Sequence, residues 1–278
     1  MRKVTIPHLM EMKASGRPIS MITAYSSWQA AMVQEAGAEV ILVGDSLGMV
    51  EKGFASTVPV TMDTMIDACA AVSRGASSPF LVGDMPFMSY EVDRAQAVAN
   101  AGRFIKEAGM DGVKLEGGVE RADTVKAIVD AGIAVVGHIG LTPQSATLLG
   151  GFRVQGKDLA GAEKLLADGR ALQDAGACSI VLECVPAPLA EILTEELSIP
   201  TVGIGAGKGC DGQVLVFHDI LGLYGDFRPK FVKRYLDGGK VLTEALASYV
   251  SDVRERSFPE EGHSFDMDPS VIKELDRR

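Results

Sequence analysis

The chain has 278 residues, 47% of them hydrophobic, which is enough for one large core or two smaller ones. Its 27 basic and 37 acidic residues give a formal net charge of −10, which disfavours nucleic acid and anionic membranes as partners. We expect neither a secretory signal nor a membrane-spanning helix. The four cysteines lack a metal-type C-x-x-C spacing, and the simplest interpretation is a protein of the reducing cytoplasm.

A repeated pattern of an acidic residue, alanine and glycine marks predicted helix ends along the chain. It occurs at residues 35–37, 107–109, 130–132 and 174–176, and a short apolar run follows each copy. Glycine readily adopts the left-handed conformation that ends helices, and short apolar runs are typical of strands buried on both faces. With weaker cases included, the pattern predicts these strands in chain order: Ile19–Ala24, Val40–Val43, Phe80–Val82, Gly112–Leu115, Ala134–Gly137, Ser179–Leu182, Thr201–Ile204 and Val214–Phe217.

Helical patterns separate most of the predicted strands. Eight alternating strand–helix units in fewer than 300 residues predict an α/β fold, a single (β/α)8 TIM barrel with an N-terminal extension and C-terminal helices. We expect one domain over residues 1–257 and a polar C-terminal tail over residues 258–278. The connection 205–213 is too short for a full helix, so the last unit is the weakest part of this prediction.

Polar side chains follow the predicted strands at the edge where parallel barrels build active sites. The two longest connections, 46–60 and 141–157, also follow strands and are therefore expected on the same face. Lys114 and Glu116 are two residues apart and should point to the same side of their strand. The complete set of strand-end residues is Asp45, Asp84, Lys114, Glu116, His138 and Glu183.

Each of these residues also has a purely structural explanation. An aspartate at a strand end often caps the next helix, His138 could be a hydrogen-bonded core histidine, and Lys114 with Glu116 could form an ion pair. Four carboxylates at one barrel mouth would repel one another and lose hydration unless a cation accompanied them. Because oxygen-rich sites of this kind suit Mg²⁺, the set as a whole favours a magnesium site.

Several strings in the chain, taken in order, resemble the ketopantoate hydroxymethyltransferase family. The likeness runs from about residue 3 to residue 266, and no single string would be specific. The strings are V-G-D-S-L-G-M (43–49), D-M-P-F-M (84–88), V-K-L-E-G-G (113–118), G-H-I-G-L-T-P-Q-S (137–145), L-E-C-V-P (182–186) and G-I-G-A-G (203–207).

The resemblance implies transfer of a hydroxymethyl group from 5,10-methylenetetrahydrofolate to 3-methyl-2-oxobutanoate. The product would be ketopantoate (2-dehydropantoate), on the route to pantothenate and coenzyme A, and the enzyme would be a homo-oligomer, typically a decamer. The implied site residues are the Mg²⁺ ligands Asp45, Asp84 and Glu116, the substrate contacts Asp45, Ser46, Asp84, Lys114 and His138, and the catalytic base Glu183.

The residues agree with this chemistry, because a C–H bond beside a ketone is weakly acidic and its enolate needs stabilisation. A chelating metal and Lys114 would provide positive charge, and Glu183, across the barrel from Asp45, is better placed than Asp84 to remove the proton. The sequence departs from the family pattern at Ser26, where Asp is common, and at residues 208–210.

Two rival interpretations remain open from the sequence. A Mg²⁺-dependent oxo-acid lyase or mutase of the isocitrate lyase and phosphoenolpyruvate mutase group would share the barrel and the metal, but its K-x-C-G-H-type loop does not occur here. A non-catalytic metabolite-binding barrel could keep the metal for stability. Glu183 separates these hypotheses, because a scaffold has no use for an unpaired base that faces the metal.

Overall fold

A computed structural model describes residues 2–223, 225 and 229–277. Eight parallel strands close a barrel in chain order, so the predicted (β/α)8 TIM barrel is confirmed. The strands are β1 (Ile19–Thr23), β2 (Val40–Val43), β3 (Phe80–Asp84), β4 (Gly112–Glu116), β5 (Ala134–Gly140), β6 (Ser179–Glu183), β7 (Thr201–Ile204) and β8 (Gly212–Leu215).

Helices surround the barrel and extend beyond it at both ends of the chain. The helices are α1 (Ile6–Ala14), α2 (Ser27–Glu35), α3 (Leu47–Val50), α4 (Met62–Gly75), α5 (Arg94–Lys106), α6 (Ala122–Asp130), α7 (Leu159–Asp174), α8 (Ala187–Glu196), α9 (Phe217–Leu221), α10 (Gly238–Glu255) and α11 (Pro269–Leu275).

The predicted helix ends are confirmed at all four copies of the acidic-Ala-Gly pattern. The glycines that follow α2, α5, α6 and α7 have φ values between +69° and +95°, in the region that side chains with a Cβ avoid. At the other end of the helices, hydroxyl and carboxylate side chains accept hydrogen bonds from first-turn N–H groups. These N-caps are Ser26, Thr61, Asp93 and Asp158.

The eighth strand differs from the prediction, because it runs from Gly212 to Leu215 rather than from Val214 to Phe217. Gly212 pairs with Ile19 of β1 and with Val202 of β7, and a Cβ at this position would lie 2.5 Å from the Ile19 carbonyl oxygen. This close approach requires glycine, which apolar patterning does not reveal. Phe217 instead begins α9, and in the described part of the chain no helix joins β7 to β8.

Helix α1 packs against the amino end of the barrel. Leu9 and Met12 are 4% and 1% exposed and belong to the core cluster formed by the inward side chains of the strands. Lys13 makes an ion pair with Asp211, just before β8, at 2.8 Å. The N-terminal extension therefore closes this end, and the polar residues of the sequence prediction lie at the opposite end.

The C-terminal helices make little contact with the barrel. Only Gly238 of α10 is buried, and residues 258–277 are exposed along their whole length. Helix α10 nevertheless carries apolar side chains that are 41–67% exposed: Val241, Leu242, Leu246, Tyr249, Val250 and Val253. Among the described residues, none of the helices combines the length and apolar character needed to cross a bilayer.

Candidate active site

The register of neighbouring strands brings the predicted polar residues together at the carboxyl end of the barrel. Asp84 pairs with Lys114 across β3 and β4, and Glu116 pairs with His138 across β4 and β5. Glu183 is the last residue of β6. Parallel strands in register place these side chains in adjacent rows, as the sequence prediction required.

Asp84 and Lys114 form a buried ion pair, with 2.9 Å between Asp84 Oδ1 and Lys114 Nζ. The second oxygen, Asp84 Oδ2, accepts a hydrogen bond of 3.1 Å from the backbone N–H of Asp45. Asp45 lies two residues beyond β2 and is itself buried. Two carboxylates and one ammonium group are thus held together out of contact with water.

His138 lies between Lys114 and two further carboxylates. Its Nδ1 is 3.1 Å from Lys114 Nζ and 3.5 Å from Glu116 Oε1, and its Nε2 is 3.2 Å from Glu183 Oε2. Glu183 is the most accessible of the three carboxylate side chains in these ion pairs and contacts, at 16% exposure against 2% for Asp84 and Glu116. A base that must reach a substrate needs this accessibility.

The turn that follows Glu183 is tightly constrained. Cys184 adopts φ +49°, a conformation that commonly costs a non-glycine residue about 1–3 kcal/mol. Its N–H donates to Ile204 O, and its carbonyl accepts from Gln155 N–H. The carbonyl of Glu183 accepts from Leu141 N–H at 2.8 Å. These bonds fix the backbone from which the Glu183 side chain projects.

Ser46 lies at the edge of this group and forms a 2.8 Å hydrogen bond with the hydroxyl of Tyr25, a residue for which the sequence predicted no role. The neighbouring Ser26, which departs from the family pattern, caps α2 through its hydroxyl. An aspartate can make the same capping interaction, so this substitution preserves the local backbone.

Gln144 and Tyr90 are buried in the mouth, and sequence reasoning missed both as site residues. The Gln144 side chain donates to Asp45 Oδ2 at 2.9 Å, and its backbone N–H donates to Glu116 Oε2 at 3.0 Å. Tyr90 donates to Gln144 Oε1 and accepts from the N–H of Glu116. Tyr90 lies in a loop and Gln144 in the single 3-10 turn Pro143–Ser145, and neither segment has a periodicity that marks a buried position. The only available signal was the presence of Gln144 in a family string.

Burial has the largest single effect on the pKa values of these groups. It raises the pKa of Asp84 to about 7, with Lys114 opposing the shift and Asp45 adding to it. Burial likewise raises the pKa of Glu116. Burial and the Lys114 ammonium lower the pKa of His138, but the carboxylates of Glu116 and Glu183 outweigh them and raise it to about 9. Lys114 and a protonated His138 thus share the site with four carboxyl groups, and burial favours the neutral forms of Asp84 and Glu116 unless further positive charge is bound.

The donors present fit a divalent cation. Asp45, Asp84 and Glu116 carry up to three negative charges beside one lysine, and Glu116 Oε1 is buried with no hydrogen-bond partner among the described residues. Within the same residues, no three His, Cys, Asp or Glu side chains form a group that could hold a metal by themselves. Mg²⁺ is compatible with this geometry, because it commonly takes one or two carboxylates plus water and substrate oxygens.

A cavity of about 230 Å³ lies directly beside Glu116. The loops after β3, β4 and β5 and the first turns of α7 form its walls, with both apolar and charged side chains. Its lining includes Tyr90, Arg121, Ile139, Leu149, Lys164 and Asp168. The cavity therefore offers space for a second ligand next to the Glu116 carboxylate.

Solved structures with a similar fold come from enzymes that are distant in sequence. Phosphonopyruvate hydrolase, in a complex with oxalate and Mg²⁺, aligns with a TM-score of 0.61 at 15% identity, over 100% of this chain and 95% of that one. Phosphoenolpyruvate phosphomutase from Streptomyces platensis aligns with a TM-score of 0.63 at 15% identity, over 98% and 95%. At this identity the likeness concerns the fold alone.

Relatives by sequence are much closer. The 3-methyl-2-oxobutanoate hydroxymethyltransferase of Carboxydothermus hydrogenoformans is 57% identical over 99% of this chain and 100% of its own length. The enzyme of the same name from Desulfotalea psychrophila is 54% identical over 95% of each chain. A family profile described as ketopantoate hydroxymethyltransferase matches residues 3–261. The chain therefore belongs to the ketopantoate hydroxymethyltransferase family.

Proposed function

We propose that this chain transfers a hydroxymethyl group from 5,10-methylenetetrahydrofolate to 3-methyl-2-oxobutanoate and so produces ketopantoate. The observation that carries the proposal is the position of Glu183, a partly exposed carboxylate beside the buried group of Asp84, Lys114 and His138. Membership of the family, and the name shared by its relatives at 52–57% identity, support the same reaction.

Asp45 and Asp84 would hold Mg²⁺, and Glu116 would lie at or near the ion. When bound, Mg²⁺ supplies Lewis acidity to the carboxylate and keto oxygens of the oxo acid. The burial of three carboxyl groups beside a single lysine supports this assignment, as does the Mg²⁺ present with oxalate in phosphonopyruvate hydrolase.

Proton removal is assigned to Glu183. Its carboxylate takes the proton from C3, and the electrons of the C–H bond form the C2=C3 bond of an enolate. Lys114 places an ammonium group where it stabilises the negative charge that develops on the oxygen. His138 Nε2, 3.2 Å from Glu183 Oε2, keeps the base oriented, and Ser46 offers its hydroxyl to the substrate carboxylate.

Carbon–carbon bond formation then joins C3 to the methylene carbon of the folate. Both C–N bonds of that carbon break, the oxygen of one water bonds to it to complete the CH₂OH group, and tetrahydrofolate leaves. The proton from C3 and the remaining water proton end on the two folate nitrogens, which balances the reaction. The cavity beside Glu116 gives the co-substrate room next to the reacting carbon.

Proton NMR of 3-methyl-2-oxobutanoate in D₂O tests the proposal directly. With enzyme and Mg²⁺, we expect the C3 proton to exchange for deuterium, and we expect the exchange to stop with EDTA or with Glu183→Gln. Addition of 5,10-methylenetetrahydrofolate should then produce ketopantoate. A C3 proton that persists in the presence of metal and folate would contradict the enolate mechanism.

A further inference from the structure

Gln144 lies in the connection between β5 and α7 and is 5% exposed. Its side-chain amide makes three hydrogen bonds, to Asp45 Oδ2, to the carbonyl of Met85 and from the hydroxyl of Tyr90. Its backbone N–H donates to Glu116 Oε2. One residue of the β5 loop therefore contacts the loops that follow β2 and β3 and the end of β4.

The chemistry of its neighbours fixes the orientation of this amide. The Asp45 carboxylate and the Met85 carbonyl can only accept, so the NH₂ group must face them, and both of its hydrogens are used. The carbonyl oxygen must then face Tyr90, which is the donor at 2.5 Å. A flipped amide would place an oxygen against two acceptors, so the observed orientation is the only satisfied one.

Gln144 engages one oxygen of each of two carboxylates. Asp45 Oδ2 and Glu116 Oε2 are its partners. Among the described residues no hydrogen bond reaches Asp45 Oδ1, and Glu116 Oε1 has only a 3.5 Å contact with His138 Nδ1 and no hydrogen bond. Two acidic groups near each other would otherwise turn apart or recruit separate partners. The amide and the N–H hold both carboxylates in place and leave an oxygen of each for another ligand.

We propose that Gln144 is a positioning residue for the cation site: it orients Asp45 and Glu116 while Tyr90 holds its amide. The proposal rests on the function proposed above, since the cation is the one that function needs. Groups that orient metal-binding side chains commonly contribute roughly 10- to 100-fold to metal affinity. Gln144→Met keeps a similar length and removes the amide, so we expect Mn²⁺ to bind roughly 10- to 100-fold more weakly.

Metal binding is measured without substrate, by titration of Mn²⁺ with EPR detection of the free ion and displacement by Mg²⁺. Gln173→Met is the matched control, because Gln173 accepts hydrogen bonds from the N–H and hydroxyl of Ser198, far from the barrel mouth. We expect its Mn²⁺ affinity to equal that of the wild type. In the C3 deuteration assay, Gln144→Met should need more Mg²⁺ for half-maximal rate and should recover at saturating Mg²⁺.

Circular dichroism verifies that each variant is folded, and if Gln144→Met does not fold, Tyr90→Phe decides the question in the same assay. Tyr90→Phe removes the hydroxyl that holds the amide and should weaken Mn²⁺ binding in the same direction. The inference is wrong if the wild type deuterates C3 and the Mn²⁺ affinity of Gln144→Met is within about twofold of the wild-type affinity. That result leaves the proposed function intact. Absence of deuteration by the wild type argues against the function instead.

Discussion

Gly140 and Glu183 approach each other at the end of β5 and β6 more closely than a side chain would allow. A Cβ on Gly140 would lie 2.2 Å from the Glu183 carbonyl oxygen, and Gly140 has φ +96°. The same carbonyl accepts the Leu141 N–H. A glycine at this position therefore lets the backbone of the proposed base be held directly by the neighbouring strand.

Gly140→Ala should slow C3 deuteration at least tenfold, because the added methyl group displaces the backbone that carries Glu183. Gly132→Ala is the control: Gly132 has φ +85°, and a Cβ there meets nothing within 4 Å. That variant should lose only about 1–3 kcal/mol of unfolding free energy to backbone strain and keep its deuteration rate. If both variants deuterate C3 at the same rate in the NMR assay, Gly140 does not determine the position of the Glu183 carboxylate.

Residues at strand ends were predictable, and residues in loops were not. Glu116, His138 and Glu183 end or follow apolar runs six or seven residues after a helix-ending glycine, so the alternation of elements locates them. Gln144 lies in a single 3-10 turn and Tyr90 in an irregular segment, and the path of both depends on contacts with other loops. Their burial results from tertiary packing, and no local pattern encodes it.

Helix α1 acts as an element that seals the barrel at the end opposite to the site. Met12 is 1% exposed, and Lys13 bonds both Asp211 and the Thr194 carbonyl. The apolar inner residues of the strands would otherwise meet water at this end. The helix thus contributes to stability and lies at the end of the barrel opposite to the candidate site.

Met12→Ala should lower the free energy of unfolding by about 2–5 kcal/mol, because a buried methionine side chain is replaced by a cavity. Met12→Leu, which conserves volume, should cost less than about 1.5 kcal/mol. Urea unfolding followed by circular dichroism measures both. Because Met12 lies at the far end of the barrel, neither substitution should change the Mn²⁺ affinity. A marked change in that affinity would mean that α1 influences the site.

For the whole molecule, the homo-oligomer that the family resemblance implies, typically a decamer, stays a prediction, and the exposed apolar face of α10 is the surface on which it can be tested. Its apolar side chains occur at helical spacing and remain exposed in the isolated chain. Extended apolar faces of this kind commonly mark protein–protein contacts. We propose that a second copy of the chain covers α10, since self-association is what the family resemblance implies.

Leu246→Asp should lower the molar mass measured by size-exclusion chromatography with light scattering, because it places a charge in the apolar face. Ser248→Asp is the matched control: Ser248 is exposed in the same helix, about 200° away around the axis from Leu246. We expect that variant to keep the mass of the wild type. A wild-type protein with the mass of a single chain would contradict the predicted oligomer.

The sequence by itself determined the fold and the identity of the six strand-end polar residues, because both follow from local periodicity and from glycines that end helices. The register of the strands then paired Asp84 with Lys114 and Glu116 with His138, whereas the sequence had suggested an ion pair only between Lys114 and Glu116. Tertiary structure alone decided the start of β8, the strained turn at Cys184 and the contacts of Gln144. Each depends on a close approach between segments distant in sequence, and such approaches leave no periodic trace.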